Sequence, residues 1–169
     1  TSVGYDHMHI LGDTLSEIAE QKAGIIKENS DTIFVQQDEK EVNEKIKQTC
    51  IEKNNTLHLV QRQNILNYSY NQEFQKFDYK NYKDITINLK GQKQICNASI
   101  CIECVEILKN KSYPISEEAL RKGLKTVVHK ARFETISKSP LIIYDGAHNK
   151  PAIENFIKST QMYYKNEHI

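Results

Sequence analysis

Apolar positions three and four residues apart alternate along this chain with short apolar runs, and the two spacings predict helices and strands in turn. Thr14-Leu15-Ser16-Glu17 sets a hydroxyl at an N-cap position and a carboxylate three residues on, which is the spacing of a capping box. The stripe of Leu15, Ile18 and Ala19 behind it predicts a helix that stops near Gly24. An apolar run predicts a strand at 32–35. Residues 40–53 predict an amphipathic helix with Val42, Ile46, Cys50 and Ile51 inward, and 57–60 predict a second strand. From 64 to 90, Tyr and Phe alternate with polar residues and end in ITINL, which predicts antiparallel hairpin strands rather than a disordered tract. Asn97 reads as the N-cap of a helix over 98–109, and Ser116 as the cap of another over 117–124. The closing pattern, PLIIYDGAHNKPAIENFIK, predicts a buried strand at 141–144, a Gly-containing loop, and a helix capped by Asn149 with Pro151 in its first turn. Strand, loop and helix recurring in this order predict an α/β fold that binds ligands at the C-terminal ends of its strands.

Composition narrows the partners. The 169 residues suffice for one medium domain, or one domain and part of another. With 23 basic and 22 acidic residues the net charge is +1, so no field exists to draw in nucleic acid or an anionic membrane. No apolar run approaches the roughly 20 residues of a membrane helix. Only Arg62, Arg121 and Arg132 are arginines in a chain rich in lysine. Cys101 and Cys104 have the spacing of a metal or redox pair, but no second pair completes a zinc site. They also share helical spacing with Val105 and Leu108, so we read them as lining a buried face. The chain begins with Thr1 and shows no signal-peptide pattern, so it reads as an excised piece of a cytoplasmic protein, with an organelle left open.

Two strand ends carry polar groups where such folds bind ligands: Asp6 and His7 at one, Asp145, Gly146, His148 and Asn149 at the other. Turn and cap roles account for these residue types equally well. Lys22 is more unusual, because it falls on the inward stripe of the first helix. One reading lays its stem along apolar surface with the amine reaching water. The other desolvates the amine, which disfavours its charged form. A neutral amine can take up carbon dioxide as a carbamate, an oxygen ligand of the kind magnesium prefers.

The run TSVGYDHMHILGDTLSEIAEQKAGIIK, with NAS, ARFE and YDGAHN following in order, closely resembles the folylpolyglutamate synthase/dihydrofolate synthase family of the Mur ligase superfamily. The resemblance extends over nearly the whole chain. It implies an ATP-dependent ligase that adds L-glutamate to folate or dihydropteroate through an acyl phosphate, using ATP and Mg2+, and acting as a monomer. It implies magnesium ligation by His7 and by a carbamylated Lys22, ATP contacts from Asn97, Arg132 and Asp145, and a role for His148 beside the acyl phosphate. It further implies an α/β architecture in which 1–130 is the later part of the central ATP-binding domain. That part would be a sheet with flanking helices plus antiparallel hairpin strands, and 131–169 would begin an α/β C-terminal, glutamate-binding domain.

The chain departs from the family pattern in several places. Ala131 stands where the family usually has Gly, Lys93-Gln94 stands for a His-Gln pair, and Lys150 separates Asn149 from Pro151. No Gly-rich loop ending in Gly-Lys-Ser/Thr occurs, so the phosphate cradle and a catalytic glutamate are expected upstream of Thr1 and the piece alone is expected to be inactive. Two alternatives remain: another Mur-type amino-acid ligase, or a non-catalytic remnant of the fold.

Overall fold

The computed structural model describes Val3 and residues 12–165 and divides into two compact units, residues 1–62 and 63–169. The first unit opens with α1 (Leu15–Ala23). Its capping box forms as the spacing predicts: Glu17 N–H donates to Thr14 Oγ1, and Thr14 N–H donates to Glu17 Oε2. Both bonds occupy amides that a helix start leaves without partners. Strand β1 (Asp31–Val35) then passes through α2 (Lys40–Glu52) to β2 (Thr56–Val60). The two strands pair in parallel, Asp31 opposite Thr56 through Val35 opposite Val60. A parallel pair needs such a crossover, so this is a βαβ unit. Its core is Ile18, Ala19, Ala23 and Ile26 against Phe34, Val42, Ile46 and Cys50. Ile51, expected inward, is 63% exposed, because the helix face is already complete with the 42, 46, 50 stripe.

The second unit starts with a three-stranded antiparallel sheet, β3 (Ile65–Tyr70), β4 (Gln75–Tyr79) and β5 (Tyr82–Ile87), as the aromatic alternation predicted. Helix α3 (Gln92–Asn110) follows, then α4 (Glu117–Thr126), capped by Ser116 whose Oγ accepts from Ala119 N–H. Helix α3 begins at a Gly91 cap rather than at Asn97, six residues earlier than expected, and Asn97 lies within the helix on its exposed side. The buried face of α3 is Ile95, Ala98, Ser99, Ile102 and Glu103. That turns Cys101 and Cys104 outward, so the expectation that they line the core is corrected. The competing stripe won because Ile102 and Ile95 bury more apolar surface, and because Glu103 is satisfied inside by the Tyr79 hydroxyl and by Lys80.

A hairpin of β6 (Glu134–Lys138) and β7 (Leu141–Tyr144) and helix α5 (Lys150–Tyr163) complete the described chain. Strand β7 has the expected bounds but is not buried: its residues alternate between half-buried and exposed, with only Leu141 and Ile143 packing inward. They meet Phe133, Phe156, Met162, Tyr163 and Tyr164 in a small aromatic core. Among the described residues no helix is long and apolar enough to cross a membrane.

Candidate active site

Three of the residues singled out by sequence come together where the chain enters β6 and leaves β7. Arg132 lies between two residues with left-handed backbones, Ala131 at φ 57° and Phe133 at φ 49°. Each such conformation costs an L-residue about 1–2 kcal/mol, and it persists only where the surroundings over-determine it. Here they do. Ala131 N–H donates to Glu134 Oε2 at 2.8 Å, Phe133 N–H donates to Asp145 Oδ2 at 2.7 Å, and Gly146 N–H donates to the Ala131 carbonyl at 2.9 Å. The second Asp145 oxygen accepts from Ala147 N–H at 2.8 Å. Bonds from amides to carboxylates are among the stronger ones a backbone makes. Asp145 therefore ties the turn before β6 to the loop after β7.

Arg132 is exposed, and its guanidinium lies against that loop. A side chain at Gly146 would bring a Cβ to 3.1 Å from Arg132 Nη1, so the bare backbone of Gly146 is what admits the arginine. The guanidinium is a planar fork suited to two oxygens of one phosphate. Each Asp145 oxygen uses one acceptor position on the backbone and keeps another for a hydroxyl. His148 is exposed, with Nδ1 2.9 Å from the Gly146 carbonyl. A carbonyl only accepts, so Nδ1 carries a proton in this contact. Asn149 caps α5 through Ala152 N–H at 3.0 Å, with Pro151 in the first turn as expected. An open groove of about 360 Å³ runs beside the turn, with Leu89, Lys90, Val128, Arg132, Phe133 and Lys138 among its lining residues.

The other expected residues lie elsewhere. Asn97 is on α3, its amide donating to Gln94 Oε1 at 3.0 Å. Lys22 belongs to the first unit, half-buried on α1 beside the buried Ile18, Ala19 and Ala23. His7 and Asp6 fall outside the described residues. Among the described residues no group of three His, Cys, Asp or Glu side chains could hold a metal, so those residues do not by themselves make a magnesium site.

Sequence reasoning missed the residues that build the turn. Phe133 is buried and packs on Phe156, Tyr163 and Tyr164, and Glu134 closes the turn on itself. One signal was available for Ala131: glycine in related sequences at this position marks a backbone that needs positive φ.

Residues 1–105 match the model of the Mur ligase middle domain. The dihydrofolate synthase/folylpolyglutamate synthase of Bacillus subtilis is 34% identical over 175 residues, covering 100% of this chain and 40% of that protein. The chain thus spans 40% of the length of that curated relative. A solved FPGS–AMPPCP–folate complex superposes with a TM-score of 0.84 at 26% identity, over 96% of this chain and 41% of that one. The folylpolyglutamate synthase of Thermotoga maritima gives 0.77 at 27% identity, over 91% of this chain and 37% of its own.

Proposed function

Because the chain belongs to the Mur ligase family, we propose that it is part of an ATP-dependent amide ligase that joins L-glutamate to the carboxylate of a folate or dihydropteroate. The observation that carries this reading is the Arg132–Asp145 turn: an exposed cationic fork and a carboxylate with spare acceptor positions, locked together by backbone bonds. In a relative solved with AMPPCP and folate, a nucleotide and a folate are the molecules bound.

The chemistry assigned to the site is acyl-phosphate formation followed by aminolysis. A carboxylate oxygen of the acceptor forms a bond to the γ-phosphorus of ATP, and the bond from that phosphorus to ADP breaks. The amine of glutamate, having lost one proton from its ammonium form, then attacks the acyl carbon. Phosphate leaves with the bonding pair, and the nitrogen sheds a second proton to become the amide. Positioning and neutralisation of phosphate charge supply most of the acceleration in such transfers. Arg132 is assigned to a phosphate of ATP, where two parallel N–H bonds fix orientation as well as charge. Asp145 is assigned to a hydroxyl of the nucleotide, and Asn97 to a further ATP contact. His148, exposed beside the Asp145 loop, is assigned a place beside the acyl phosphate, where it would stabilise charge. Magnesium, when bound, neutralises phosphate charge. His7 and a carbamylated Lys22 are its proposed ligands, and no step here rests on the ion. We assign 1–130 to the ATP-binding domain and 131–169 to the start of the C-terminal domain.

The whole protein, supplied with ATP, magnesium, a reduced folate and glutamate, is expected to release phosphate only when acceptor and glutamate are both present. Release that ignores either one, or none at all, rejects the proposal.

A further inference from the structure

Lys90 has no role in the reaction outlined above, yet it is the most elaborately housed cation in the second unit. Its ammonium stands 5.7 Å from the ring centre of Phe133, 5.8 Å from that of Tyr163 and 5.4 Å from that of Tyr164. It also donates to the Tyr164 hydroxyl at 3.1 Å. Three ring faces around one ammonium make a cage held together by quadrupole attraction and resistant to rearrangement.

The cage sits at a mechanical junction. Phe133 stacks on Tyr164 with ring centres 6.2 Å apart and planes 10° from parallel, and Phe133 is the residue after Arg132. Its backbone occupies the left-handed region, and its N–H is held by Asp145. The Phe133 ring therefore anchors the residue that follows Arg132. On the other side Lys90 precedes Gly91, the cap of α3, whose N–H donates to the Tyr163 hydroxyl at 3.3 Å. Burial pushes the Tyr163 phenol up, so it stays neutral beside the ammonium. Gly91 cannot be replaced without cost, since φ is 95° and a Cβ would come to 2.8 Å from Ser159 Oγ. The backbone carrying Lys90 is also held outside the cage, because the buried Gln75 amide donates to the carbonyls of Leu89 and Gly91 on either side of it, and the lysine reaches from that base to the turn.

We propose that Lys90 is a positioning residue for nucleotide binding, its caged ammonium holding the left-handed turn from which Arg132 projects. This inference rests on the ligase reading, and it gives Lys90 no contact with ATP.

The test compares the whole wild-type protein with Lys90→Met, which keeps the apolar stem, and Lys90→Arg, which keeps the cation. Three quantities are read: the AMPPCP dissociation constant by calorimetry, the folate KM, and the rate of tryptic cleavage between Arg132 and Phe133 by mass spectrometry. The methionine variant should bind AMPPCP roughly tenfold more weakly with the folate KM within about twofold of wild type, and the arginine variant should recover most of the loss. Cleavage should speed up in the methionine variant alone. Unchanged AMPPCP binding in Lys90→Met, equal weakness in Lys90→Arg, or a folate KM that rises in step overturns the inference. Should Lys90→Met not fold, Tyr164→Phe removes the lysine's acceptor while keeping the ring, and the same readings apply with roughly threefold effects. A wild-type protein that binds no AMPPCP defeats the ligase reading instead. The cleavage rates then decide for the cage: faster in methionine and normal in arginine supports it, equal rates sink it.

Discussion

Replacing Ala131 by glycine should stabilise this protein, although the same change lowers stability at most positions. Ala131 holds φ at 57°, where an L-residue crowds its own carbonyl. Leaving that strain behind should return about 1–2 kcal/mol. Glycine loses more backbone freedom on folding, by roughly 0.5–1 kcal/mol relative to alanine. The residue is half-buried, so removing one methyl forfeits little packing. The net expectation is a gain of about 0.5–1 kcal/mol. Urea unfolding measures it: with a slope of about 2 kcal/mol/M, the midpoint should rise by roughly 0.2–0.5 M with the slope unchanged. Ala119, exposed in α4, is the control, and its change to glycine should lower stability by up to about 1 kcal/mol. If both variants lose stability alike, the backbone at 131 is not left-handed, and the clamp built on it is wrong.

Asp145→Asn keeps the shape but has one acceptor oxygen, so either Phe133 N–H or Ala147 N–H is orphaned. The expected loss is about 1–3 kcal/mol by thermal unfolding, with weaker AMPPCP binding. Arg132→Lys should raise the AMPPCP dissociation constant roughly tenfold by losing the two-pronged fork. Because Arg132 is exposed, its melting temperature should not move, and a drop in melting temperature would refute the assignment. In the antiparallel sheet, Asp84 N–H, then the Asn67 amide and the Lys83 ammonium, hold the Asp78 carboxyl below its ordinary value. A carboxyl depressed in the folded state stabilises above its unfolded pKa of about 3.9 and loses that contribution as pH falls through the folded value. Asp78→Asn should therefore flatten the acid limb of a stability-against-pH curve below about pH 4, and an unaltered limb would refute the linkage.

Local signals along the chain were legible because they act within a few residues. The Thr14–Glu17 box and the Ser116 and Asn149 caps follow from side chains bonding to backbone close by, and the bounds of β7 follow from its apolar run. What failed was the choice between competing faces. Helix α3 carries one stripe through Cys101 and Cys104 and another through Ile95, Ile102 and Glu103, and spacing alone cannot rank them. The winner depends on Tyr79 and Lys80, on another strand and its turn, which give Glu103 partners inside. The same limit hid Lys90: a lysine before a glycine carries no hint that three rings some forty and seventy residues later will close around it. Asp145 and His148 were legible together as polar groups at a strand end, and Arg132 joined them only through resemblance. Their geometry follows from bonds across the turn: Asp145 holds the residue after Arg132, and Gly146 leaves room for the guanidinium.

That mutual placement bears on how the site would act. Asp145 does not wait for a ligand to order it, because two amides already fix both oxygens. The backbone of Arg132 is likewise confined by its two left-handed neighbours, while its exposed guanidinium rests beside Gly146. A nucleotide arriving at such a turn meets groups whose orientation was settled during folding, so little conformational freedom is lost on binding. The strain in the turn is then a permanent cost to stability, and the bonds to Asp145 are what aim the turn. Relieving the strain at Ala131, whose side chain is a single methyl, should raise stability and leave nucleotide affinity unchanged. Disturbing it at Asp145 should lower both together. Affinity that falls in Ala131→Gly as well would mean that the alanine's rigidity, and not the bonds to Asp145, is what aims Arg132.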